Sequence, residues 1–251
     1  MSAKKETLGK TLGVVIAVCL VCSIIVSGAA VGLRDLQQIN AAKDKQTNIL
    51  EAAGIAVTAD CDVICTFDKY VDERHINIAT GEYVEVEDGF DMYKAANDPK
   101  YTVKVENSNV GFQRRSSVAS VYIVKTENGA VDRIVLPVHG SGLWDLMYGF
   151  LAVDSDGNTI RELVYYQQKE TPGLGGEVLN PGWKSKWDGK KLYKNGEVAI
   201  DVQKNANPNN EYAVDALSGA TLTSNGVENT LVYWAGENGY GPYLKNQNWK
   251  S

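Results

Sequence analysis

From residue 12 to residue 33 the chain carries no charge, and most of the positions are apolar. Roughly 20 such residues wound as a helix span the hydrocarbon core of a bilayer. The run therefore predicts one membrane-spanning helix. A cleaved signal peptide is the competing reading, since Ser27-Gly28-Ala29 offers small residues for cleavage. The uncharged run continues past that point, beyond a signal core of roughly 7–15 residues, which favours a retained anchor.

After the span the period changes. Leu36, Ile39, Ala42, Ile49 and Leu50 recur at near-helical spacing, and Gly54 offers a stop, which predicts a helix over 35–54. Between 60 and 115, short strand-like pieces at 63–67, 83–86 and 101–105 interrupt polar loops. From 118 onward strands are expected in pairs: 118–125 with 130–138 around Asn128-Gly129, 149–153 with 159–167 around Ser155-Asp156-Gly157-Asn158, and 190–193 with 197–202 around Asn195-Gly196. Each central group accepts the positive φ of a tight hairpin turn. Three hairpins in succession predict an antiparallel sheet. A last helix is expected from a cap at Asn225, with Glu228 three residues on and Val227, Leu231 and Trp234 on one face, stopping near Gly236 or Gly239. The fold class is α+β, divided as 1–11 before the span, 12–33 the span, 34–59 a connecting helix, 60–115 the first part of the outer domain and 116–251 the rest.

Charge sets the orientation. Lys4, Lys5 and Lys10 precede the span and only Arg34 closely follows it, so the positive-inside tendency puts the N-terminus in the cytoplasm and everything past the span outside. The net charge of -6 argues against a nucleic-acid partner, which would favour a basic face. In an oxidising compartment Cys61 and Cys65 could pair, although free thiols fit the sequence as well. A zinc site is disfavoured, because the two histidines lie elsewhere.

Three stretches could carry chemistry. In Asp215-Ala216-Leu217-Ser218-Gly219-Ala220-Thr221-Leu222-Thr223-Ser224, small residues lead to the Thr221 hydroxyl just ahead of a helix, where amide groups and the helix dipole favour an anion. On spacing alone an ordinary Ser/Thr-rich loop capping the helix is the favoured reading. In Lys169-Glu170-Thr171-Pro172-Gly173-Leu174-Gly175-Gly176-Glu177, Pro-Gly predicts a turn, and the glycines would let a flat ring approach the backbone. This is neither a phosphate-binding P-loop nor a dinucleotide fingerprint, and a plain loop is the alternative. In His139-Gly140-Ser141-Gly142-Leu143-Trp144, Leu143 and Trp144 could pack on an aromatic ligand, with Gly140 and Gly142 leaving room. A serine-hydrolase elbow would need glycine where His139 stands. His139 itself is expected to hydrogen-bond the backbone.

Together these residues resemble the FMN-binding domain family, and within it the flavin-carrying subunits of sodium-translocating NADH:quinone oxidoreductases. Asp215, Ser218, Gly219, Ala220 and Thr221 match its flavinylation motif, Asp-x-x-Ser/Thr-Gly-Ala-Thr. The resemblance covers most of the chain. It implies FMN joined to Thr221 by a phosphodiester, with Thr223 as the rival hydroxyl. It also implies cofactor contacts from Leu143, Trp144, Glu170, Thr171, Gly173, Leu174, Gly175, Ser218, Gly219, Ala220 and Leu222, and no catalytic or metal residues. The chain would relay electrons inside a redox-driven sodium pump of the bacterial inner membrane, its outer domain periplasmic. It would pack against other membrane subunits and be matured by a flavin transferase. The flavin-bearing member of the ferredoxin:NAD (Rnf) complex carries the same motif and is the nearest alternative. A membrane-anchored binding module without flavin is the alternative of another kind.

Overall fold

The computed structural model describes residues 8–106 and 108–250. Lys4 and Lys5, on which the expected orientation partly rests, lie outside the described residues. The chain forms two compact units, 1–45 and 46–251. In the first, α1 (Leu8–Gly32) is exposed along its whole length and is long and apolar enough to cross a membrane. A break at Leu33 precedes α2 (Arg34–Ala52), but bonds from Leu33 N to Ala29 O (3.0 Å) and from Gln37 N to Leu33 O (2.9 Å) carry helical pairing across it.

The second unit opens with the last residues of α2, followed by α3 (Val63–Tyr70) and β1 (Val71–Asn77). The strand expected over 63–67 is therefore a helix. The β-branched Val63 and Ile64 suggest a strand, but the Asp62 carboxylate caps the Cys65 amide at 3.0 Å, and a Cys61–Cys65 disulfide closes the turn. Nor do residues 83–86 form a strand, since Tyr83 makes only an isolated bridge to Ile76. A short α4 (Met92–Ala95) and the pair β2 (Thr102–Lys104) and β3 (Arg114–Ser116) complete this irregular stretch.

The main sheet adds β4 (Val118–Lys125), β5 (Val131–Ser141), β6 (Leu146–Asp154) and β7 (Ile160–Gln167), all antiparallel in the order β1-β4-β5-β6-β7. The first two expected hairpins are these strands, turning at Gly129 (φ 79) and Gly157 (φ 74). Both faces are covered. Ile134, Leu136 and Leu151 join a larger core, while Tyr122, Phe150 and Val164 meet Ile49, Leu50 and Phe67 in a second layer.

The third expected hairpin stands apart. After α5 (Pro181–Lys184), β8 (Tyr193–Lys194) and β9 (Glu197–Val198) pair only with each other, and β10 (Asp201–Gln203) runs parallel to β11 (Ala213–Asp215). Two helices finish the chain, α6 (Thr221–Ala235) and α7 (Gly241–Asn246). The first of these starts four residues before the expected cap at Asn225.

The sheet is split at one end. β4 and β5 pair only as far as Tyr122 and Val135. Beyond this point the free edge of β5 is satisfied by other groups: Tyr240 Oη donates to Pro137 O (2.8 Å), Trp234 Nε1 to His139 O (2.8 Å), and Ser141 N to Val110 O (2.8 Å). Buried backbone groups need such partners. The split brings α6 and the 110–116 segment against the end of the β5–β6 hairpin.

Candidate flavin site

Thr221 is the first residue of α6, and the cap position before it is Ala220, which has no side-chain oxygen to offer. Ser, Thr, Asp and Asn are the usual residues there, because their oxygens satisfy the first helical amides. The helix therefore begins with unserved N–H groups at its positive end. Thr221 is exposed, whereas Thr223, two residues on, is only 1% exposed and donates its hydroxyl to Glu170 Oε2. Ser224 fastens the approach loop: its hydroxyl donates to Ala220 O (3.0 Å) and accepts from Leu217 N (3.0 Å). Asp215 is anchored from outside the motif, its carboxylate 3.0 Å from Lys186 Nζ and its carbonyl accepting from Trp183 Nε1 at 2.9 Å. The Lys186 ammonium holds the Asp215 carboxyl below the usual carboxylate range. Neither Lys186 nor Trp183 has a spacing signal in the sequence.

Glu170 joins the three stretches. It is 5% exposed; its Oε1 accepts from the amides of Leu143 (2.9 Å) and Trp144 (3.0 Å), and its Oε2 accepts from Thr223. A buried carboxylate requires such donors. Thr171 Oγ1 accepts from Trp144 Nε1 (3.2 Å). Pro172 and Gly173 form the expected turn, with Leu174 N bonded to Thr171 O (3.1 Å) and Gly173 at φ 78.

Three glycines of the site, Gly140, Gly142 and Gly175, serve packing rather than ligand access, whereas Gly173 faces open space. A Cβ on Gly142 would meet Glu170 Oε1 at 2.5 Å, one on Gly175 would meet Thr223 Oγ1 at 2.5 Å, and one on Gly140 would collide with Thr230. These glycines make room for protein atoms. His139 also differs from expectation: its Nδ1 has no hydrogen-bond partner, and its ring lies 4.4 Å from Phe112 and 5.4 Å from Tyr148. Burial pushes its imidazole down to about 4.

Around this framework Leu143, Trp144, Leu174 and Leu222 are exposed, Trp144 by 67% and Leu222 by 61%. A Cβ on Gly219 (φ 71) would lie 3.1 Å from Leu174 Cδ2, which puts the Gly-rich turn beside the approach to Thr221. Gly173, Ser218 and Gly219 are exposed with them. Aromatic and aliphatic side chains left in water beside an uncapped helix start suit a flat, amphipathic ring carrying a phosphate. FMN fits that description.

The fold and site define a class: an FMN-binding domain behind one apolar helix. The family described as "FMN-binding domain" matches residues 142–235. The C subunit of the Na(+)-translocating NADH-quinone reductase of Neisseria meningitidis is 47% identical over 244 residues, covering 96% of this chain and 94% of the relative. The Vibrio vulnificus protein of the same name is 48% identical over 247 residues, covering 96% of each. Among solved structures, Shewanella oneidensis NqrC superposes with a TM-score of 0.78 at 31% identity, over 82% of this chain and 98% of that one. The chain belongs to the family of Na(+)-translocating NADH-quinone reductase C subunits.

Proposed function

We propose that this chain is the electron-relaying subunit of a sodium-translocating NADH:ubiquinone oxidoreductase, with FMN joined to Thr221 by a phosphodiester bond. One observation carries the choice of residue: the Thr221 hydroxyl is exposed at the start of α6, whereas the Thr223 hydroxyl is buried and committed to Glu170. The uncapped amides of the first turn would receive the phosphate oxygens. Bound there, FMN supplies one- and two-electron chemistry at a potential set by its surroundings.

The protein's part is to hold and orient the group. Leu143, Trp144, Leu174 and Leu222 would cover the ring system, with Ser218, Gly219, Thr171, Gly173 and Gly175 beside it. Glu170 would fix the loop that presents Leu143 and Trp144, acting through their amides. No acid, base or metal is required of the chain itself.

The lysines ahead of α1 favour a cytoplasmic N-terminus in the bacterial inner membrane and a periplasmic domain. The exposed apolar faces of α1 would pack against other membrane subunits of the same pump, with Gly28, Ala29, Ala30 and Gly32 permitting close helix approach. A flavin transferase acting outside the membrane would reach Thr221 without unfolding the domain.

Denaturing electrophoresis tests the attachment. In a host with the transferase, a fluorescent flavin band should survive denaturation in the wild type and in Thr223→Val, and vanish in Thr221→Ala. A band that persists in Thr221→Ala would move the bond elsewhere.

A further inference from the structure

Arg115 is buried on β3, 7% exposed, and pairs with no carboxylate among the described residues. Its two hydrogen bonds go to neutral groups, from Nε to Tyr233 Oη (3.1 Å) and from Nη1 to Ser116 O (2.8 Å). Burying a charge without a counter-charge is expensive, and buried arginines are normally paired. Arg115 is one of the residues lining a cleft of about 460 Å³ between the end of the β5–β6 hairpin and the irregular 92–116 stretch. That volume lies within the range of small-molecule sites, roughly 300–1,000 Å³.

The rest of the lining points the same way. It includes a second arginine, Arg114, and no aspartate or glutamate. Aromatic rings form the walls: Phe112 and Tyr148 lie against His139, and Tyr93 meets both His139 (5.1 Å) and Tyr148 (5.2 Å) edge-on. Two buried polar atoms of the lining, His139 Nδ1 and Tyr93 Oη, have no hydrogen-bond partner. A buried charge without a counter-charge, two unmatched polar atoms and a set of flat walls thus converge on one cleft, with a net positive lining. An anion there would neutralise Arg115, and a ring attached to the anion would fill the aromatic part.

We propose that this cleft binds a small ring-bearing oxyanion, an aryl carboxylate or aryl phosphate, with its anionic group on Arg115 and its ring among Phe112, His139 and Tyr148. The site is distinct from Thr221, though its wall residues His139 and Tyr148 lie on the hairpin that carries Leu143 and Trp144 at its tip. The Arg115 guanidinium can meet an oxyanion through paired N–H groups, and Arg114, exposed beside it on β3, adds positive charge to the lining.

The test uses the full chain in detergent with its flavin attached, so that no signal arises from the flavin's own place. The sequence has two histidines, His75 and His139, so a ring-labelled histidine spectrum gives one reporter in the cleft and one outside it. Benzoate and phenyl phosphate should shift the His139 signals saturably and leave His75 nearly unmoved, whereas benzyl alcohol should do neither. Arg115→Gln should weaken benzoate by about tenfold, the loss of one charge-assisted bond. Arg114→Gln, at an exposed position, should weaken it by a smaller factor with the fold intact, which keeps the test decisive if the Arg115 variant does not fold. Equal shifts with benzyl alcohol, no shift with either anion, or an affinity unchanged in Arg114→Gln would overturn the proposal.

Discussion

Glu170 accepts a hydrogen bond from the Thr223 hydroxyl, joining the Gly-rich turn to the first turn of α6. The same carboxylate holds the Leu143 and Trp144 amides, so one side chain sets the relative positions of all three stretches around Thr221. Glu170→Ala would leave two amides and a hydroxyl without their partner, at about 1–3 kcal/mol for each group that stays buried. Denaturant unfolding should show a loss of several kcal/mol. Glu170→Gln keeps an acceptor oxygen for the amides and should lose less than half as much. Equal losses in the two variants would mean that these bonds do not hold the site together.

Gly175 is packed against that same pair. Gly175→Ala pushes a methyl group onto Thr223 Oγ1 and Glu170, and overpacking of this kind typically costs about 1–3 kcal/mol. Gly176→Ala, one residue along, meets only backbone, with Thr171 O nearest at 3.1 Å, and should be milder. A lower melting temperature for Gly175→Ala than for Gly176→Ala checks the ordering, and a reversed order would refute the packing described.

His139 gives stability a pH dependence. Burial lowers its folded value from 6.5 to about 4, so between those limits the unfolded chain binds the proton and the folded chain does not. Stability from this group is complete above about 6.5 and is lost as pH falls towards 4, by about 3 kcal/mol in all. His139→Phe should flatten that part of the profile relative to wild type. Unfolding curves at pH 4.5 and pH 7 compare the two proteins; parallel profiles would rule the imidazole out.

The Cys61–Cys65 disulfide closes a loop with a sequence separation of 4. It sits at the start of α3, where Thr66 Oγ1 also donates to Cys61 O at 3.0 Å. So short a loop contributes about 2 kcal/mol on chain-entropy grounds. The free cysteines are Cys19 and Cys22, both in α1, so thiol labelling of denatured, unreduced protein should modify these two and spare Cys61 and Cys65. Modification of all the cysteines would show that the pair is reduced.

The legible parts of the chain are those whose signals are local. Asn128-Gly129 and Gly157 announce their hairpins because only residues tolerant of positive φ suit those turns. The 12–33 run announces, by length and lack of charge, a helix long and apolar enough to cross a membrane. The start of α6 is hidden for a physical reason: its cap is Ala220, which breaks the capping rule, so the visible signal shifts to Asn225. The break falls at the proposed attachment point, where a bound phosphate can take over the cap's role. The contacts among Glu170, Thr223 and the Leu143 amide link positions far apart in sequence, and no periodicity encodes them. For the same reason the split in the sheet, and the cleft beside Arg115, exist only in the folded chain and leave no mark along it.

The central claim is tested most directly by the intact mass of the purified full-length protein from a host with the transferase. The wild type should weigh one FMN, less one water, more than its polypeptide, and Thr221→Ala should weigh the polypeptide alone at unchanged stability. A wild-type mass without the addition, or a Thr221→Ala mass that retains it, would contradict the assignment of Thr221 as the tether.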